Sequence, residues 1–230
     1  MMAKQTKGRC RFCAKEFTRA GIIRHLDSCK SRAEKQGSGD KDRTAGYFEL
    51  MITDRYLKEY WLVIDIEENM ELEDLDSFIR DIWVECCGHL SAFRIDGVSY
   101  DSPSSFGGYD ASESMQIQLN EILYVGQVFE YYYDFGSTTE LIIAVKNYRR
   151  GPEQRDRLTL LARNNPPQFL CSTCGKEPAV WIDLEHYDDE KPFICGSCLE
   201  ARRQNEDGDE AGDYYADNLL PVCNSPRMGV

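Results

Sequence analysis

The sequence predicts an α+β protein in which one long helix lies across a face of a sheet, with a small cysteine-rich module at each end. Three observations lead there. Residues 47–66 and 92–146 favour strands, with one strongly periodic helical segment between them. Seven of the ten cysteines and one of the three histidines fall into two tight clusters, one near each end of the chain. With 230 residues and 42% apolar content, the chain has room for one medium domain plus small modules and a globular composition.

The first cluster reads Cys10-x2-Cys13-x11-His25-x3-Cys29, and the second reads Cys171-x2-Cys174-x20-Cys195-x2-Cys198. Two thiolates separated by two residues grip one tetrahedral ion from a tight turn, and two such grips complete the four-coordinate shell of a structural zinc. Two structural zinc ions are therefore expected, one on Cys10, Cys13, His25 and Cys29, the other on Cys171, Cys174, Cys195 and Cys198. A closed shell leaves no position for a catalytic water. Disulfides are the competing use of these cysteines. They need an oxidising compartment, and the polar N-terminus has no apolar export stretch, so a cytoplasmic location is expected. No run of residues is long and apolar enough to suggest a membrane partner.

The N-terminal module, residues 1–36, reads as a finger. His25 and Cys29 are an i, i+4 pair on one helical face, and Phe17 and Ile22 are its miniature core. So small a core needs metal to fold. Charge separates the finger from the rest. The chain carries a net charge of -13, yet residues 1–36 hold ten Lys and Arg against three acids. This asymmetry fits a basic arm for nucleic acid or an arm lying on its own acidic body. Arg19, Arg24 and Lys30 are the candidate phosphate contacts. In DNA-reading fingers, helix positions -1, 3 and 6 touch bases; here they are Thr18, Gly21 and Arg24, and Gly21 offers no side chain. The acidic body opposes wholesale coating of nucleic acid.

Residues 31–45 are polar, with two glycines and no apolar period, and read as a connecting segment, with a linker at 37–45 and the body at 46–165. Strands are expected at 47–52 and 56–66. Leu72, Leu75, Phe78, Ile79, Ile82, Trp83 and Cys86 then recur at three- and four-residue steps, predicting a helix that Asn69 can cap and Gly88 can end. A strand at 92–98, a Ser/Gly/Pro-rich loop at 99–114, a helical turn at 119–123 and a hairpin of 127–134 with 139–146 follow. Leu141, Ile143 and Val145 alternate cleanly, so one face of the last strand is core. Asn164-Asn165-Pro166-Pro167 marks a boundary. Beyond it, residues 166–203 form a zinc ribbon with a strand at 179–184 and turns eased by Gly175 and Gly196. Residues 204–230 are an acidic segment and a tail whose residues 219–222 dock on the body.

The stretches YWLVIDIEE, GHLSAFRIDGVSY and EYYYDFGSTTELIIAV resemble the plasmid pRiA4b ORF-3-like family, some members of which are associated with transposons. The most specific parts are His89-Leu90 with Phe93, and Tyr133-Asp134-Phe135-Gly136; the match spans residues 46–150. The tail NLLPVCNSPRMGV resembles the end of zinc-bearing members. The resemblance implies a β-grasp-like α+β fold and no established activity. The better-known motif continues after the glycine with an acid, Trp and His, whereas this chain has Ser137, Thr138, Thr139 and Glu140.

His89, Asp134 and Glu140 form a candidate proton-transfer or metal group if they converge, but Asp134 also suits a hairpin start and His89 a helix end. Phe129, Tyr131 and Tyr133 share one sheet face and Tyr132 the other, so a base-stacking platform has at most one side. Cys86 and Cys87 beside His89 suggest a third metal site, but Cys86 continues the helix's apolar face and adjacent cysteines make poor chelators. The expected function is a non-catalytic binding or adaptor protein that recognises a protein partner. A nucleic-acid factor of mobile elements using the basic finger is second, and an enzyme at His89, Asp134 and Glu140 third.

Overall fold

Two fifteen-residue strands, pairing along almost their whole length, organise the first part of the chain. They are β3 (Asp40–Asp54) and β9 (Thr139–Glu153). The computed structural model describes residues 6–84, 88–102, 112–184, 192–205, 219–222 and 226. It divides into two units, Met1–Asn165 and Pro166–Val230. Before β3 come β1 (Lys7–Cys10), β2 (Glu16–Thr18), α1 (Arg19–Ser28) and α2 (Lys30–Gln36). Between β3 and β9 lie β4 (Trp61–Glu67), α3 (Leu72–Ile79), β5 (Ser91–Ile95), β6 (Val98–Asp101), β7 (Glu113–Ser114), α4 (Leu119–Ile122) and β8 (Val128–Tyr133). After β9, β10 (Leu158–Asn164) closes the unit. The sheet order is β2-β1-β10-β4-β3-β9-β8-β5-β6-β7, antiparallel except for β6 with β7. The mixed α+β architecture with a cysteine cluster at each end agrees with the expectation from sequence.

Alternation decides which residues meet on each face. Leu50 and Ile52 of β3 stand beside Ile64 and Leu62 of β4 and beside Val145 and Ile143 of β9, and Phe129 and Tyr131 of β8 extend the same surface. All of these are buried. Helix α3 covers this face: Tyr131 Oη donates to Asp76 Oδ1 at 2.8 Å, and the Arg80 guanidinium lies 5.0 Å from the Tyr133 ring centre. The carboxylate of Asp76 also receives Arg80 Nε at 2.7 Å, so its charge is matched inside the core. Tyr131 and Tyr133 are fully buried, which removes the stacking platform. The expected cap Asn69 instead accepts from Asn120, and Asp74 accepts the Glu71 N–H at 2.9 Å to start the helix. After Ile79 the backbone widens into a π-turn over Arg80–Val84; Cys86 and Cys87 lie outside the described residues.

The opposite face is covered by the finger. Cys10, Ile22, Leu26 and Cys29 form one apolar cluster with Met51, Trp61, Val63, Leu161 and Ala162 of the sheet. Strand β1 pairs with β10, Gly8 facing Asn164 and Cys10 facing Ala162, so the finger's first strand is also a strand of the body. Gly8 is needed at this join. A Cβ there would stand 2.3 Å from Arg163 O and 2.4 Å from the Trp61 ring. Gly8→Ala is therefore expected to cost about 2 kcal/mol or more through overpacking, lowering the thermal midpoint of the whole chain. An unchanged melting curve would refute this account of the join.

Two stretches differ from expectation. The polar run after Cys29 is helix α2 followed directly by the start of β3, because Arg32 is buried against the sheet and Asp40 pairs with Glu153. Strand β10, with its interspersed Thr and Arg, was missed by periodicity and is held by β4 on one side.

In the second unit β11 (Trp181–Asp183) pairs with β12 (Phe193–Ile194) and with β13 (Leu219–Pro221), and α5 spans Gly196–Asn205. The tail segment expected to dock on the body instead supplies this third ribbon strand, Ile182 facing Leu220. Leu219 is buried with Cys171, Ile194, Cys195 and Leu199, which gives the strand its hold. His186 and the acidic stretch 206–218 lie outside the described residues.

Candidate metal centres

Each cysteine cluster gathers around a tight turn. In the first, Ala14 N–H donates to Cys10 O at 2.9 Å; in the second, Gly175 N–H donates to Cys171 O at 2.8 Å. Both turns close with a left-handed residue, φ 59° at Ala14 and 66° at Gly175, the latter the easier for lacking a Cβ. Gly196 needs no such conformation; it is the first residue of α5. Helix α1 carries His25 and ends at Cys29, whose extended backbone (φ -74°, ψ 107°) also starts α2. The Thr18 side chain caps α1 by accepting the Gly21 N–H at 3.2 Å.

The ligand atoms of Cys10, Cys13, His25 and Cys29 all lie within 4.8 Å of one another, as do those of Cys171, Cys174, Cys195 and Cys198. Cys10 Sγ is 4.0 Å from Cys29 Sγ, Cys13 Sγ is 3.3 Å from His25 Nε2, and Cys174 Sγ is 3.9 Å from Cys195 Sγ. A tetrahedron with metal–sulfur bonds of about 2.3 Å has edges of about 3.8 Å. The donor sets thus fit a tetrahedral ion. Phe17 stacks on the His25 ring at 3.9 Å between centres and fixes its orientation.

The surroundings shift the donor groups in both directions. Burial raises Cys10, while for Cys13 the backbone at Lys15 and hydrogen bonds from Cys10 and Cys29 outweigh burial and lower it. Burial, then the Lys15 charge, lowers His25 and favours the neutral imidazole that ligates. In the second cluster burial opposes ionisation of Cys171, yet backbone hydrogen bonds at Cys174, Cys195 and Thr173 bring it to about 6. Its neighbour Cys198 is pushed up to about 12, first by its hydrogen bond with Cys195.

Arg19 is half-buried, its Nη1 3.5 Å from Lys58 O, whereas Arg24 and Lys30 are exposed. Thr18 is occupied as the helix cap, so two of the three base-reading positions have no side chain to offer. Sequence reading passed over Arg32, whose Nη1 reaches Glu49 Oε2 at 2.6 Å and whose Nη2 reaches Asp65 Oδ1 at 3.0 Å. Asp65 further accepts from Gln36 and Arg149. Only the i+3 step from the candidate ligand Cys29 and its own length marked Arg32 in the sequence.

His89 and Asp134 approach, Nε2 to Oδ2 at 3.8 Å, but Glu140 does not join them. Glu140 faces Tyr132 across the hairpin, on the side opposite Tyr133, and bonds the Tyr56 hydroxyl at 3.0 Å beside Arg55. His89 lies on the other side, its N–H donating to Tyr133 Oη. The three-residue group is thereby corrected to a pair. Asp134 has a hairpin role: it sits at φ 60°, and its Oδ1 accepts the Gly136 N–H at 3.0 Å.

The profile of plasmid pRiA4b ORF-3-like proteins matches residues 50–179, more than half the chain. The chain belongs to the pRiA4b ORF-3-like family. The matched span contains α3, β5 and the β8–β9 hairpin, and it reaches past the first turn of the second cysteine cluster. The N-terminal cluster and the pair Cys195 and Cys198 lie outside it. The crystal structure of MM3350, a protein of unknown function from Methanosarcina mazei Go1, is similar at 12% identity and a TM-score of 0.44, over 78% of this chain and 96% of that one. No curated protein matches the chain. Among the described residues, no helix of this pRiA4b ORF-3-like protein is long and apolar enough to cross a membrane.

Proposed function

We propose that this protein is a zinc-bearing, non-catalytic binding protein that recognises a protein partner through its zinc modules and α+β body. The observation that carries the reading is the pair of four-donor clusters, each with all ligand atoms within 4.8 Å. Cys10, Cys13, His25 and Cys29 would hold one ion and Cys171, Cys174, Cys195 and Cys198 the other. Four protein donors fill a tetrahedral zinc shell, so each ion would act as a cross-link rather than a Lewis acid. The separation of Glu140 from His89 and Asp134 weighs in the same direction.

Nucleic-acid binding by the finger is the second reading, favoured by the exposure of Arg24 and Lys30. It is weakened by the use of Arg32 inside the protein and of Thr18 as a cap. Metal analysis of the purified chain should find about two zinc ions per molecule, both released by a strong chelator with loss of fold. A value near one would remove one cluster from the proposal. Retention of the full chain on DNA at low salt, lost in an Arg24→Glu, Lys30→Glu variant, would instead favour the second reading.

A further inference from the structure

We infer that the outer edge of β10 at Leu158–Leu160 is a strand-addition site for an extended acidic peptide. The inference rests on the protein-binding reading above and gives its partner a chemistry. Strand β1 covers only the far half of β10, pairing at Ala162, Arg163 and Asn164, and the finger turn adds one bond from Arg11 N–H to Leu161 O. On the inner side β4 meets Leu158, Thr159 and Leu160, and Glu67 N–H donates to Arg157 O. In an antiparallel strand successive residues turn their peptide groups to alternate edges. Arg157 and Thr159 therefore face β4, and the N–H and C=O groups of Leu158 and Leu160 face outward. No backbone partner meets them there among the described residues.

An unpaired strand edge is a template for another extended chain. Here it opens into a groove of about 540 Å³. The groove's walls are the finger turn at Arg11 and Phe12, helix α2 at Ser31 and Lys35, and the β9–β10 turn at Asp156. The finger therefore builds a site beside the strand it leaves uncovered.

Charge selects the occupant. The groove is lined by Arg11 and Lys35 against Asp156, and an adjoining cavity brings Arg155 to the same rim. The other acids of that cavity are Asp40, which caps the Asp42 N–H, Glu153, which faces Arg43 at 3.4 Å, and Asp65, which is saturated by Arg32, Gln36 and Arg149. Arg11, Lys35 and Arg155 are exposed and have no ion-pair partner among the described residues. In a chain of net charge -13, this is a place where an acidic strand meets cations instead of repulsion. Side chains of an added strand alternate, so acids at every second position reach the cations while the intervening residues lie across the Leu158 and Leu160 side.

The test uses the full zinc-loaded chain and a fluorescein-labelled peptide of alternating Glu and Val, seven residues long, read by fluorescence anisotropy. Saturable binding is expected. The variant Arg11→Glu, Lys35→Glu should weaken it at least about tenfold, and so should N-methylation of the peptide's central amides, since about 1.4 kcal/mol is a factor of ten and each amide bond lost is worth about that much. A Lys/Val peptide should not bind. Absence of binding by the Glu/Val peptide, or equal binding of its N-methylated form, would overturn the strand-addition site. Zinc is measured on the same samples: two ions with no peptide binding would overturn this site alone, whereas fewer than two would overturn the zinc reading on which the finger wall depends.

Discussion

Replacing Cys10 and Cys29 together by serine is expected to unfold the finger and strip the sheet of one of its covers, with a fall in thermal midpoint far beyond that of an ordinary surface change. The metal free energy of structural zinc sites in finger peptides is about 10–16 kcal/mol, comparable to or larger than the whole stability of a typical domain, about 5–15 kcal/mol. Here the loss does not stop at the finger. Ile22 and Leu26 share a cluster with Met51, Trp61 and Val63, and β1 is hydrogen-bonded to β10. Releasing the finger exposes a buried tryptophan, so Trp61 fluorescence should shift to the red as circular dichroism reports lost structure. Chelation of the wild-type chain, which leaves every side chain in place, should give the same two signals. A variant with one zinc per chain and unchanged melting and fluorescence would show that packing alone holds the finger down.

The Arg32→Ala variant should lose about 3–5 kcal/mol, the usual consequence of removing one partner from a buried ion pair. Arg32, Glu49 and Asp65 are each less than a tenth exposed. Asp65 keeps Gln36 and Arg149, but among the described residues Glu49 has no other cation and its Oε1 no hydrogen bond. The sign of the pH dependence follows. Burial holds the Glu49 carboxyl above its ordinary range, against the pull of the Arg32 charge and hydrogen bond. Without Arg32 the folded-state value rises further above the unfolded one. The folded variant then keeps a proton that the unfolded chain releases, and its stability is lost as pH rises through that folded value. Urea midpoints of variant and wild type should therefore lie farther apart at alkaline than at acid pH. The double variant Arg32→Met, Glu49→Gln should recover part of the loss. A pH-independent gap would show that Glu49 is not the group left uncompensated.

Much of the fold is legible locally. The helix α3 stands out because Leu72, Leu75 and Ile79 repeat at helical steps, and the hairpin β8–β9 because Leu141, Ile143 and Val145 alternate around a turn. The cysteine clusters are the most legible feature, since a pair of thiolates separated by two residues can supply half of a tetrahedral donor set. What escaped has a common cause. Helix α2 is polar in composition and strand β10 lacks a clean alternation, and their stability comes from partners distant in sequence: Glu49 and Asp65 for Arg32, β4 and β1 for β10. A periodicity argument sees only neighbours. The same limit applied to Glu140, whose place beside Tyr56 and Arg55 depends on β3 ending next to β9.

By itself the sequence determined the α+β class, the eight candidate ligands and the family resemblance, because each is written in short-range spacing. Only the tertiary structure decided that the finger is a cover on the sheet. Its basic charge is partly spent at Arg32 inside the protein, and its fit depends on Gly8, where Trp61 and Arg163 leave no room for a Cβ. The reason is physical: a side chain's charge or size has no fixed meaning until the fold brings its partner to it. That partner lies 17 residues away for Arg32 with Glu49 and 155 away for Gly8 with Arg163.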